Sequence, residues 1–216
     1  MAERSEGAAR KLPAELARLL HDLRGPLNSA VMHLEVLKRT VSDDPSSAES
    51  LRTVLQQLVR LSEMLPAAFA VAALEPAPFA PVSLREVVER ARQEPDLEGV
   101  RVVGEAWPEV RADAALLAIG VAQLMRNAVE ATSADGRPPE VSAARTGDEA
   151  TLSVRDFGDG LSTTNPKLLI RLLHSTKAGH RGLGLITAER AARLHGGTLS
   201  FETLPDGARV TMHLPT

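Results

Sequence analysis

"SVRDFGDGLS", residues 153–162, carries one carboxylate that belongs to two overlapping patterns. In Asp156-Phe157-Gly158 the aspartate would hold a metal ion. In Asp156-x-Gly158-x-Gly160 it would close a strand, and the glycines would let the backbone approach a planar ligand. The alternating run from about residue 150 to 156 reads as a half-buried strand. An Asp-Gly turn between two strands has the same spelling. The rest of the chain decides among these readings.

The chain has 216 residues, enough to bury a core as one large domain or two small ones. Its net charge of −3 offers no bulk attraction for nucleic acid, and four Phe with one Trp leave few stacking platforms for bases. The absence of cysteine excludes disulfides and thiolate metal sites and fits a reducing compartment. No uninterrupted apolar run approaches the roughly 18 residues that span a bilayer, and "MAERSEGAARK" lacks the apolar core of a secretory signal. The expectation is a cytoplasmic protein with no direct membrane insertion and no nucleic-acid partner.

Two halves with different periods follow. Leu20, Leu23, Leu27, Ala30, Leu34, Leu37 and Val41 alternate spacings of three and four, a heptad seam on a helix of about 30 residues and roughly 45 Å. "VSDDPSSAES" breaks it, and Leu51, Val54, Leu58, Leu61, Leu65 and Ala68 form a second seam. The short connection implies an antiparallel hairpin. Its leftover apolar surface implies pairing with a second copy into a four-helix bundle. We assign residues 1–74 to this hairpin, the proline-rich "EPAPFAP" at 75–81 to a linker, and 82–216 to a second domain. There the pattern predicts a helix near 82–93, a strand in "VRVVGEA", and a helix at about 113–132. Strands follow at 139–146 and 150–156, a helix at about 184–195, and strands at 197–203 and 208–214. Helices grouped with antiparallel-type hairpins make an α+β sandwich.

Four segments carry chemistry. In "LLHDLRGPLN", residues 19–28, His21 falls outward from the seam with Asp22 beside it, and Pro26 removes the hydrogen bond to the Asp22 carbonyl. A solvated surface histidine would look the same. In "GVAQLMRNAVEA", residues 120–131, Gln123 and Asn127 share a helical face, and their oxygens suit a hard cation such as Mg²⁺. Polar positions of an ordinary amphipathic helix have the same spacing. Asp156, if buried, could accept the exocyclic amine of adenine. Gly179, Gly182 and Gly184 precede an amphipathic helix whose free N–H groups suit phosphate, and Ser175, Thr176 and Lys177 lie just upstream.

Taken in order, "HDLRGPLN", "QLMRNAVEA", "DFGDG" and "STKAGHRGLGL" resemble the H, N, G1 and lid-plus-G2 boxes of the bacterial two-component sensor histidine kinases. The closing "GARVTMHLP" resembles the last strand of that family's ATP domain. The resemblance covers nearly the whole chain. It implies a hairpin that becomes a four-helix bundle as a homodimer, followed by an α/β-sandwich ATP-binding domain of the histidine kinase type. It further implies His21 as phosphoacceptor, Asp22 as its proton partner, and Asn127, with Gln123, as the Mg²⁺ site. Asp156, Gly158 and Gly160 would lie at adenine, and Lys177, Gly179, Gly182 and Gly184 at the phosphates. The phosphoryl group would pass to the aspartate of a response-regulator receiver domain, with a separate sensor protein as a source of signal. The other reading of Asp156-Phe157-Gly158 requires a lysine strand, an HRD-type loop and an N-terminal Gly-rich loop, none of which the sequence contains.

Four positions depart from the family pattern. Gln123 stands where Asn, His or Glu is common, Phe157 where a small or polar residue is usual, and His180 where G2 has its first glycine. These bear on ATP binding. Gly25 replaces the Thr or Asn four residues after the histidine, which bears on phosphatase activity. Two other functions compete with the kinase: a histidine phosphotransferase with a degenerate ATP site, and a related ATPase or serine kinase whose hairpin only dimerises.

Overall fold

The computed structural model describes residues 14–40, 45–132, 136–161, 163 and 183–216. The chain divides into two compact units, Met1–Ala73 and Leu74–Thr216.

The first unit consists of α1 (Ala14–Thr40) and α2 (Pro45–Ala72), packed on each other. The break between them is narrower than expected, because α2 already begins at Pro45. Proline is at home in a first turn, where its missing N–H would have had no helical partner. Helix α1 runs without interruption past residue 26. Among the described residues, Leu20, Leu55 and Met64 are the apolar side chains buried in this unit. Only Leu20 lies on an expected seam; Leu55 and Met64 are each one position away from the second seam. Leu23, Leu37, Val54 and Leu61 of the seams are exposed instead, together with Met32, Val36 and Val59. A hairpin buries one stripe per helix, and here the neighbouring stripe stays open.

The second unit begins differently from expectation. Residues Ala80–Ser83 form strand β1, not the start of a helix, and pair antiparallel with β3 (Glu109–Ala112). Pro81 is tolerated because this two-stranded sheet leaves both strands as edges. Helix α3 (Leu84–Ala91) starts one residue after β1, where the Ser83 hydroxyl accepts the Arg85 N–H at 3.2 Å. The strand expected in "VRVVGEA" is reduced to β2 (Arg101–Val102), which pairs parallel with β4 (Glu140–Thr146).

The main sheet has the order β2-β4-β5-β7-β6, built from β4 (Glu140–Thr146), β5 (Glu149–Arg155), β6 (Thr198–Leu204) and β7 (Gly207–Pro215). All its pairs except β2–β4 are antiparallel. Alternation along β5 buries Ala150, Leu152 and Val154 in one cluster with Met212 and Leu214. Helix α4 (Ala114–Ala131) adds Leu117, Val121, Leu124, Met125 and Ala128 to it, one stripe at helical spacing. Among the described helices α4 is the one long and apolar enough to cross a bilayer, yet this stripe belongs to a protein core. Helix α5 (Gly184–Leu194) lies very close to α4: a Cβ on Gly120 would stand 2.7 Å from the Ala191 Cβ.

The proline-rich stretch read as a linker is packed onto this unit. The Ala77 N–H donates to Asp113 Oδ2 at 2.8 Å, and Arg111 donates to the Phe79 carbonyl at 3.2 Å. The Phe79 ring stacks on buried His195 with centroids 4.8 Å apart and planes 12° from parallel. His195 Nε2 accepts the Asp113 N–H at 3.0 Å, so Nδ1 carries the hydrogen that meets the Ala191 carbonyl at 2.8 Å. Asp113 Oδ1 caps α4 through the N–H groups of Ala115 and Leu116. One carboxylate thus starts α4 and holds the segment that leads into β1.

Asp113→Ala removes that cap and the acceptor of Ala77 together. A lost cap costs about 1–2 kcal/mol, so the urea midpoint of the second unit's unfolding is expected to fall measurably. An unchanged midpoint would contradict the role assigned to Asp113.

Candidate functional site

Asp156 follows β5 directly and is only 9% exposed. Its N–H donates to the Ala208 carbonyl at 2.9 Å, which carries the β5–β7 ladder one step beyond the strand. Its Oδ1 accepts two backbone hydrogens, from Gly158 and from Ala208, each at 3.1 Å. Among the described residues no donor meets Oδ2. One oxygen is therefore pinned, and the other is available to a donor such as an exocyclic amine.

The glycines beside it permit close backbone approach. A Cβ on Gly158 would lie 2.2 Å from the Ala131 carbonyl oxygen at the end of α4. Gly160 has φ +81°, a region open to glycine at little cost. Gly207, which sequence reasoning had not singled out, has φ +141°, and a Cβ there would lie 2.2 Å from the Asp156 carbonyl oxygen. Its signal was the Asp206-Gly207 turn before the last strand.

Gln123 and Asn127 meet the other side of the site. A Cβ on Gly184, the first residue of α5, would find Gln123 Oε1 at 3.2 Å and Asn127 Oδ1 at 3.3 Å. The face that α4 presents therefore carries both amides to the N-terminus of α5, where the N-cap residue Leu183 supplies no side-chain cap. Among the described residues Asn127 Nδ2 is buried with no hydrogen-bond partner, a costly arrangement that an incoming acceptor would relieve. Phosphate oxygens fit that need, and they fit an uncapped helix start. Among the described residues no group of three His, Cys, Asp or Glu could hold a metal. Mg²⁺ would rest on amide oxygens, on water and on phosphates, a mode this ion favours.

His21 is exposed on α1, as its outward position implied. Asp22 lies in the same helix, but its side chain is outside the described residues, as are Lys177, Gly179 and Gly182 with Ser175 and Thr176. The structure brings together Gln123, Asn127 and Gly184 in one group and Asp156, Gly158 and Gly160 in another, both at α4.

Two families match the chain. The His Kinase A (phospho-acceptor) domain matches residues 14–66, and the histidine kinase-, DNA gyrase B- and HSP90-like ATPase matches residues 112–216. The chain is 26% identical over 208 residues to the signal transduction histidine-protein kinase AtoS of Escherichia coli, covering 93% of this chain and 34% of AtoS. It is 30% identical over 207 residues to the sensor-type histidine kinase PrrB of Mycobacterium tuberculosis, covering 90% of this chain and 46% of PrrB. The solved ATP-binding domain of PrrB from Mycobacterium tuberculosis superposes with a TM-score of 0.52 at 27% identity, over 64% of this chain and 98% of that one. Full-length ShkA in complex with AMPPNP superposes with a TM-score of 0.59 at 21% identity, over 95% of this chain and 46% of ShkA, a likeness of fold. The chain belongs to the two-component sensor histidine kinases. It spans about a third of AtoS and just under half of PrrB.

Two glycines of the site should respond differently to alanine. Gly158→Ala places a methyl group against the α4 backbone, so the folded domain itself should be lost or strongly destabilised. Gly184→Ala meets only amide side chains, which can give by a few tenths of an ångström. Its fold should survive while affinity for an ATP analogue falls roughly tenfold, equivalent to one hydrogen bond to a charged group. Thermal melting with and without nucleotide reads both; equal behaviour of the two variants would contradict the assignment.

Proposed function

We propose that the chain is an ATP-dependent protein-histidine kinase that phosphorylates its own His21 and passes the phosphoryl group to an aspartate of a response-regulator receiver domain. One observation carries the reading. Among the described residues, a buried carboxylate keeps one oxygen that no donor meets, and a buried amide nitrogen lacks a partner beside the start of α5, which match the two ends of ATP. The names of the relatives support it.

In this reading Asp156 Oδ2 accepts the adenine amine, and the α5 N–H groups with Asn127 bind phosphate. Asn127 and Gln123 supply oxygens to Mg²⁺, which neutralises phosphate charge when bound. Lys177, Gly179 and Gly182 are assigned to the phosphates and Asp22 to the ring proton. One imidazole nitrogen of His21 attacks the γ-phosphorus and the bond to the ADP oxygen breaks, while the proton on the other nitrogen goes to Asp22. The protein's part is positioning and charge neutralisation, as in phosphoryl transfer generally. The open apolar stripe formed by Leu23, Leu37, Val54 and Leu61 supports a homodimer through the hairpin. ATP as phosphoryl donor and the lack of cysteine are consistent with a cytoplasmic location, with a separate sensor protein delivering the input.

His21→Gln should abolish acid-labile, base-stable labelling from γ-labelled ATP while leaving nucleotide binding intact; stable labelling of that variant elsewhere would remove His21 from the mechanism. Asp156→Asn should weaken ATP by about 10- to 150-fold, the range for one hydrogen bond to a charged group. Gly25 offers no oxygen or amide one helical turn from His21. Dephosphorylation of a partner receiver should accordingly be slow. A Cβ at Gly25 meets nothing within 4 Å, so Gly25→Thr fits and should gain that activity. Rapid loss of receiver phosphate in the His21→Ala background, where reverse transfer is impossible, would overturn this.

A further inference from the structure

Phe157, the residue that departs from the family pattern between Asp156 and Gly158, lies against two cations. The Arg137 guanidinium carbon lies 4.2 Å from the ring centroid and that of Arg155 lies 4.6 Å away. Each guanidinium is itself fixed by a carboxylate, which leaves its face free to stack. Arg137 donates to Glu140 at 2.7 Å. Arg155 donates to both oxygens of Asp206, at 2.6 and 2.8 Å.

These contacts end on the two peptides that pin Asp156. Phe157 joins Asp156 to Gly158, whose N–H is one donor to Oδ1. Asp206 sits in the β6–β7 turn just before Gly207 and Ala208, and the Ala208 N–H is the other donor. The turn lies hard against the loop, since a Cβ on Gly207 would stand 2.9 Å from the Phe157 Cα. Arg155 touches both branches, as it stacks on the ring and grips the turn. In register it faces Arg209, a like-charge pair that Asp206 and Glu202 neutralise.

We propose that Arg137, Phe157, Arg155 and Asp206 form a brace that orients the Asp156 carboxylate and so sets the preference for a base bearing an exocyclic amine. The inference rests on the nucleotide reading above and adds positioning residues to it. None of the four need touch the nucleotide. They act through the two N–H groups that hold Oδ1 and thereby aim Oδ2.

The test is direct titration of the full chain with ATP and with inosine triphosphate, which has a carbonyl where adenine has its amine. Wild type should prefer ATP. Phe157→Ala should lose about tenfold in ATP affinity while inosine triphosphate stays unchanged or tightens, so that the preference collapses. Phe157→Tyr keeps a ring against the guanidinium groups and should restore the preference. If Phe157→Ala fails to fold, Arg137→Gln at the exposed end of the brace should narrow the preference in the same direction. Equal loss of both nucleotides would mark Phe157 as merely structural and overturn the brace, as would an unchanged ratio. A wild type without preference for ATP would overturn the adenine reading of Asp156, and the brace with it.

Discussion

Close backbone approach around α4 is the constraint on which the second unit depends. Gly120 lets α5 lie so near that an added methyl group would overlap Ala191, and Gly158 lets the loop after β5 reach the Ala131 carbonyl. The helix is thereby gripped at its middle and at its end, while Asp113 and His195 hold its start. Well-packed interiors transmit small displacements because they have few voids to absorb them. With its register held at three points, α4 carries Gln123 and Asn127 to one place beside Gly184, and its C-terminal carbonyl lies against the loop that carries Asp156.

The same grip explains how so many polar atoms are tolerated in a small core. Asp113 is buried, yet its two oxygens accept three backbone hydrogens; Asp156 is buried, and its pinned oxygen accepts two. Each carboxylate substitutes directional hydrogen bonds for lost water. Among the described residues Asn127 breaks that rule, since its amide nitrogen is buried without an acceptor. That nitrogen lies beside the N-terminus of α5, where an anionic ligand would complete it.

Legibility from sequence followed sequence separation and element length. The positions of α4, α5 and β4 to β7 were readable to within about two residues, because long periodic runs and Gly or Asp turns mark them. β1 and β3 were not, since four residues with a proline, or four with one alternation, carry no periodic signal. In the hairpin the apolar residues were visible, but two adjacent stripes were merged into one seam. Leu55 and Met64 face inward, whereas Val54 and Leu61 do not. Single-residue motifs singled out Asp156, Asn127 and Gly184, and the structure sets Asn127 beside Gly184. The partners that fix them lie far off in the chain: Ala208 is 52 residues from Asp156, and His195 is 82 from Asp113. No local pattern encodes such pairs.

Phe157 shows why a departure from a family pattern can be informative. A bulky ring beside the key carboxylate would, judged by sequence alone, count against a working site. In the fold its ring lies against two guanidinium groups, those of Arg137 and Arg155, which are paired with Glu140 and Asp206. The chain is poor in aromatic residues, so this ring meets cations and not other rings. Cation–ring contacts keep value near the surface, where a purely apolar side chain would gain little from partial burial. A loop that must stay accessible to a ligand can thus be stiffened by contacts near the surface. Among the described residues no hydrogen reaches Asp156 Oδ2, so that oxygen is left to the ligand.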